Sequence, residues 1–347
     1  MSYDVGIDLG ATNIKLGLVG GRGKVLARRM LATRARKGPR QALERVADAI
    51  VELRGKRRLR SIGIGIAGLV DHVHGIVRVP PNLPGWNGTP VKAILERLTG
   101  TEVYCANDVN AVALGEWTHG AGKGTRDLFC VTLGTGVGGG IISGGRLLLG
   151  ANHAAGEAGH MTVFGNGPAC LCGGHGCVER YVGAAYLVDR ARKRIRAQLR
   201  RLQSHRNQTA LFAGMSPDGP SMIFELARGD FARITPREIG QAARKGDRLA
   251  LDLVEETGYY LGLGLASAVQ LIDPERIVMG GGVSRMGLPL LKAVRKTVFS
   301  RVQMFPGRRL DIVLSELGGD AGIIGASRLR QCLAVQDSRP GQTFCIR

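Results

Sequence analysis

The stretch VGIDLGATNIKLGLV, Val5 to Val19, decides how the rest of the chain is read. Apolar and small residues alternate on both sides of a turn at Gly10, and a period of two predicts a β-hairpin instead of a strand feeding a helix. That excludes two common phosphate-binding signatures. No Gly-x-x-x-x-Gly-Lys-Ser/Thr loop occurs, and no Gly-x-Gly-x-x-Gly opens a helix. The turn still gathers Asp8, Gly10, Thr12, Asn13 and Lys15. Backbone N–H groups there can face a phosphate and Asp8 can hold hydrated Mg2+, although an ordinary glycine hairpin has the same sequence appearance.

Working outward, ALERVADAIVELRG has helical spacing and stops at Gly55, and LRSIGIGIAGLVD follows as a glycine-rich buried strand. The order is therefore β-β-α-β. PPNLPGWNGTP is a turn-rich loop carrying Asn82, followed by a helix (VKAILERLTG), a strand (TEVYCAND) and a helix (VNAVALGEW). At DLFCVTLGTGVGGGIISGGRLL a second glycine-rich strand pair begins, so the first alternation recurs in outline. A boundary is expected between Trp117 and Thr125, giving lobes of about 1–118 and 119–320, with a helix near 321–335 rejoining the first. ERYVGAAYLVDRARKRIRAQLRRLQ reads as one long basic helix, the interval of about 192–234 as a basic surface insertion, and the tail to Arg347 as loose.

With 347 residues and 44% hydrophobic content the chain can bury a large core. No basic n-region or apolar h-region opens it, and no apolar run reaches the roughly 18 residues a membrane span needs, so a cytoplasmic protein is expected. Lys and Arg number 48 against 28 Asp and Glu, a formal +20 that attracts anions. The basic runs ARRMLATRARKGPR, RGKRRLR and RARKRIRAQLRRLQSHR carry few aromatics for stacking on bases; they read as solvated helix faces, and a nucleic-acid partner is not expected.

Chemistry concentrates in Gly156–Glu179, GEAGHMTVFGNGPACLCGGHGCVE. His160, Cys170, Cys172 and Cys177 are one imidazole and three thiols, the ligand set of a closed tetrahedral zinc site; His175 is an alternative ligand, and an unmetallated thiol cluster the alternative state. The flanking Glu157 and Glu179 suit a polyhydroxylated ligand, and an imidazole nitrogen facing away from a metal would be a donor to it. Cys105, Cys130, Cys332 and Cys345 are scattered and read as packing or surface thiols. Gly134, Thr135 and Gly136 in LGTGVGGG, and Gly281 and Gly282 in GGG, form two further turns open to an anion. Asp108, at a strand-to-helix junction after Asn107, is either an N-cap or a general base.

Two glycine-rich hairpins in similar halves, an Asn-Asp at a strand end and a Cys3His loop together resemble the ROK family of bacterial sugar kinases and sugar-responsive repressors, from about Asp4 to Leu329 with the basic interval between roughly Arg192 and Ile234 left out. The resemblance implies an α/β chain of the ribonuclease H-like, actin-like ATPase fold, two lobes with a cleft between them. It also implies ATP-dependent phosphorylation of a hexose at the 6-hydroxyl. Glucose is the expected hexose, with N-acetylglucosamine and N-acetylmannosamine as alternatives and polyphosphate as a second candidate donor. Carried over, Asp108 becomes the base, Asn82, Asn107, Glu157, His160 and Glu179 sugar contacts, and DLGATNIK, LGTGVGGG and GGGVS the nucleotide-facing turns, with ATP and Mg2+ as cofactors beside structural Zn2+. Family repressors carry an N-terminal helix-turn-helix, for which a hairpin starting at Asp4 leaves no room. A homodimer is the expected assembly.

Overall fold

The computed structural model describes residues 2–208, 220–303 and 307–337. The opening hairpin forms as β1 (Tyr3–Leu9) and β2 (Asn13–Gly20), antiparallel with Leu9 opposite Ile14, and its turn is closed by the Gly10 amide donating to the Asn13 carbonyl at 3.0 Å. A third strand, β3 (Val25–Ala32), continues the meander. The half therefore begins β-β-β-α-β, one strand more than the sequence reading. Helix α1 (Pro39–Arg54) ends against Gly55, and β4 (Leu59–Ile66) runs parallel to β1. A small hairpin, β5 (Leu69–Asp71) with β6 (Ile76–Arg78), precedes the Asn82 loop. Helix α2 (Val91–Thr99), β7 (Val103–Asn107) and α3 (Asp108–His119) complete the half.

The second half repeats this plan. Strands β8 (Leu128–Leu133), β9 (Val137–Ser143) and β10 (Arg146–Leu148) form an antiparallel meander. Helices α4 (Val178–Val182), α5 (Ala184–Gln208), α6 (Met222–Leu226), α7 (Pro236–Arg244) and α8 (Arg248–Ile272) follow. Strand β11 (Arg276–Gly280) pairs parallel to β8, and after α9 (Leu288–Phe299) β12 (Asp311–Leu314) pairs parallel to β11. The sheets run β3-β2-β1-β4-β7 and β10-β9-β8-β11-β12, the same order with the same strand directions.

Three cores hold these layers. Helix α1 places Leu43, Val46, Ile50 and Leu53 at helical spacing against the first sheet, beside Ile62 and Ile64. Phe129, Val131 and Leu133 of β8 face the helices α5 and α7–α9, while Leu128 and Cys130 face the other way, toward α3. This alternation is the period of two of a strand covered on both faces, and each buried Leu or Ile contributes roughly 2 kcal/mol. Helices α3 and α10 (Ala321–Ala326) share the layer between the sheets. They approach closely: a Cβ on Gly325 would stand 1.6 Å from the Ala111 carbonyl oxygen. Helix α11 (Leu329–Asp337) follows α10 as a separate element, so GGDAGIIGASRLRQCL holds two helices instead of one.

Other expectations are corrected. ARRMLATRARKGPR is not a helix face; most of its charge lies on β3, an edge strand whose exposed arginines deter pairing with another chain, and on the turn after it. RGKRRLR spans the end of α1, a turn and the start of β4, where Arg60 pairs with the buried Asp4. The long basic helix breaks at Gly183 because the Ala184 amide turns aside to donate to the Gly134 carbonyl at 2.9 Å. The flanks of the interval 192–234 belong to the core, through Ile195, Ile223, Ala227 and Ile234; its middle, like the tail, lies outside the described residues. Among the described residues no helix is long and apolar enough to cross a membrane. Cys105 and Cys130 are buried as expected, and burial pushes the Cys105 thiol up to about 12.

Candidate active site

Asn107 ends β7 and caps α3. Its Oδ1 accepts from the Val109 amide at 2.8 Å and the Asn110 amide at 3.2 Å, and its Nδ2 donates to the Gly68 carbonyl at 3.0 Å. The cap is thus Asn107, and Asp108 is the first helical residue. Asp108 Oδ1 also accepts from the Val109 amide, at 2.9 Å. The Asp108 carboxyl is pushed up to about 6, first by burial and next by the charge of Asp8, with Glu157 adding to the effect and the Val109 amide opposing it. A carboxylate so placed holds a proton far more readily than one in water, the property asked of a base near neutrality.

Asp8 stands across the first hairpin from Lys15, whose Nζ lies 3.0 Å from Asp8 Oδ2. In the parallel register Asp8 is level with Gly65, and the Gly65 backbone runs against the Asp108 Cα. Asp8 and Asp108 therefore meet at the carboxyl ends of β1 and β7, the edge at which α/β sheets bind ligands. Thr12 and Asn13 are exposed at the hairpin tip, while buried Thr33 anchors the turn by donating Oγ1 to the Gly10 carbonyl at 2.7 Å.

The second hairpin divides its glycines between two tasks. Gly134, Thr135 and Gly136 form the turn, closed by the Gly134 amide on the Gly136 carbonyl at 2.8 Å. Gly138, Gly139 and Gly140, which the sequence reading gave to the anion-facing turn, are strand residues of β9 spent on packing: Gly138 faces Val109 of α3, and Gly139 lies against Gly156, whose φ of +91° suits only glycine. Gly281, at φ +90°, touches Leu133, which draws the turn after β11 against the turn after β8. Gly282 beside it faces open space.

The cysteine loop folds back as the spacing implied. His160, Cys170, Cys172 and Cys177 bring their ligand atoms within 4.8 Å of one another, and exposed His175 stays outside the group. His160 Nδ1 is 3.7 Å from Cys170 Sγ, and Cys172 Sγ is 3.7 Å from Cys177 Sγ. A tetrahedral ion with bonds of about 2.0 to 2.3 Å sets its ligand atoms about 3.5 to 3.8 Å apart, which both 3.7 Å pairs match, so the donor set fits a metal. His160 Nε2 points the other way, 3.9 Å from Glu157 Oε2. Glu179 Oε2 accepts from the Val137 amide at 2.9 Å, fastening α4 to β9.

Asn82 shares an open groove of about 770 Å³ with Ala11 and Thr12. Arg34, Arg36 and Lys37 line it too, and no acidic side chain does. Sequence reasoning missed these three, because TRARKGPR was grouped with the solvated runs; its position between a strand and a helix was the available signal.

The ROK family pattern matches residues 4–332. A glucokinase of Thermotoga maritima is 34% identical over 325 residues, covering 94% of this chain and 96% of its own length. The crystal structure of a ROK family glucokinase from Streptomyces griseus in complex with glucose and AMPPNP has a TM-score of 0.78 at 34% identity, with 95% of this chain and 100% of that chain covered. A ROK family transcriptional regulator, a homolog of the E. coli MLC protein, has a TM-score of 0.79 at 26% identity over 95% of this chain and 78% of its own. The duplicated sheets, the glycine turns at the carboxyl ends of their strands and these relatives agree: the chain belongs to the ROK family and is a sugar kinase of the two-lobed, actin-like ATPase fold.

Proposed function

We propose that the chain transfers the terminal phosphoryl group of ATP to the 6-hydroxyl of glucose. One observation carries this reading: Asp108 sits one residue past the cap of α3, beside Asp8, with its carboxyl pushed up to about 6. Phosphoryl transfer to an alcohol needs a carboxylate that accepts the hydroxyl proton as the new bond forms, and Asp108 is ionised at neutral pH yet basic enough to do so. Gly134–Gly136 and the turn at Gly281 and Gly282 would receive the nucleotide, and Thr12 and Asn13 at the first hairpin tip would face its phosphates.

Asp8 fits Mg2+, since it offers a carboxylate oxygen to a hard cation while Lys15 fixes the other. Bound there, Mg2+ supplies neutralisation of phosphate charge. The Cys3His cluster fits Zn2+, on its donor set and separations. With His160 Nδ1, Cys170, Cys172 and Cys177 all bound, no open position would be left, so these residues would hold an ion that orders the loop. The His160 proton would then reside on Nε2, which could donate to a sugar hydroxyl. Glu157, Glu179, Asn82 and Asn107 would accept from or donate to the remaining hydroxyls, Asn107 while also capping α3.

The test is ADP release from purified protein with Mg2+ and ATP against glucose, mannose, fructose, N-acetylglucosamine and N-acetylmannosamine. Highest kcat/KM with glucose supports the reading. A preference for an acetylated sugar would keep the chemistry and change the substrate, and no turnover with any of them would move the chain to the sensor class.

A further inference from the structure

His72 and His153 lie 81 positions apart and meet across the two halves. Their Nδ1 atoms are 2.8 Å apart, with ring centroids at 4.5 Å and planes at 79°. His72 sits in the turn of the β5–β6 hairpin, which leads into the Asn82 loop. His153 precedes Glu157 in the loop after β10. A second observation points to the same pair. His153 holds φ +58°, a left-handed conformation that glycine adopts without cost, so a side chain kept there at some strain is expected to be used.

We propose that His72 and His153 are positioning residues: a proton-sensitive clasp that joins the two sugar-facing segments across the cleft. This rests on the reading of Asn82 and Glu157 as sugar contacts. An Nδ1 to Nδ1 hydrogen bond needs a proton on one nitrogen and a lone pair on the other. With no extra proton, or with one, the pair meets that need. With two extra protons N–H faces N–H between two cations, and the clasp opens. Charged groups beside it include Asp71, which acts on His153 through space, and His74 and Arg78, which both face Asp71. Glu157, on His153's own loop, faces His160 instead. Opening the clasp frees the Asn82 loop from the Glu157 loop, which weakens sugar binding and leaves Asp108 and the chemical step in place.

Two measurements on the full chain test this. In 15N-histidine-labelled protein without sugar at pH 7.5, one of the two Nδ1 atoms is expected to be protonated and the other bare, and the His72 signal should move when His153 is replaced. In kinetics, KM for glucose is expected to rise between about threefold and tenfold from pH 7.5 to pH 5.5, the factor one hydrogen bond carries. His153→Asn tolerates the left-handed backbone and offers a neutral acceptor, so it should keep the KM of pH 7.5 and lose the rise. His153→Gly relieves the strain and removes the clasp, so it should show the raised KM at both pH values, with kcat following the unmodified chain. A His153→Gly variant with unchanged KM and pH response, or a His72 signal indifferent to residue 153, would overturn the clasp. Absence of glucose turnover at pH 7.5 would count against the glucose reading alone, because the imidazole signals decide the clasp without substrate.

Discussion

Glu179 accepts from the Val137 amide through Oε2 at 2.9 Å, a contact that helps tie the helix after the thiol cluster to the glycine hairpin that packs on Asp108's helix. The cysteine loop is thereby joined to the helix that begins at Asp108. If Glu179 reads a sugar hydroxyl as proposed, Glu179→Ala removes that acceptor together with the tie, and glucose KM should rise by about tenfold or more, with a smaller fall in kcat. Steady-state kinetics separates the two; an unchanged KM would remove Glu179 from the sugar wall.

Cys172→Ser breaks the four-donor set without touching the crevice directly. Metal analysis should find about one zinc per chain in the unaltered protein and little in the variant, and its glucose KM should rise, because His160 loses the partner that fixes its ring. Full zinc content in the variant would refute the ligand assignment.

Asp108 must be ionised to accept a proton, so kcat/KM should climb with pH through about 6 and level off above it. Asp8 raises that value by like charge. In the metal-free protein Asp8→Asn should move the titration of the Asp108 carboxyl toward lower pH, and with Mg2+ and ATP it should lower the rate through weaker Mg2+ binding. An Asp108 carboxyl carbon signal that titrates unchanged in the metal-free variant would deny the coupling.

The same shift has a stability consequence of opposite sense. A carboxyl raised in the folded state binds its proton more tightly folded than unfolded, so its contribution is best at low pH and is lost as pH rises from about 4 through about 6. Asp108→Asn, neutral throughout, should melt a few degrees higher than the unaltered chain at pH 7.5, with the advantage gone near pH 4. Thermal unfolding at the two pH values measures it.

How much of this was legible depended on whether the signal was local. The first hairpin was readable because its alternation is strict and its strands are buried. Strand β3 was not, since an edge strand carrying Arg28 and Arg29 toward solvent lacks the apolar alternation that marks a strand. The cysteine cluster is a matter of spacing within eight residues and was legible. The break at Gly183 was not, because its cause is the distant Gly134 carbonyl. Asn107 and Asp108 were found as a pair, but which of them caps the helix is settled by backbone direction at one residue. The meeting of His72 and His153 depends on two loops in different halves and leaves no mark in either.

The most direct test of the central claim is kcat for Asp108→Asn with ATP, Mg2+ and glucose, measured beside glucose affinity by calorimetry. If Asp108 takes the hydroxyl proton, kcat should fall by roughly two to four orders of magnitude while affinity stays within a few fold. A variant that keeps its kcat would contradict the account.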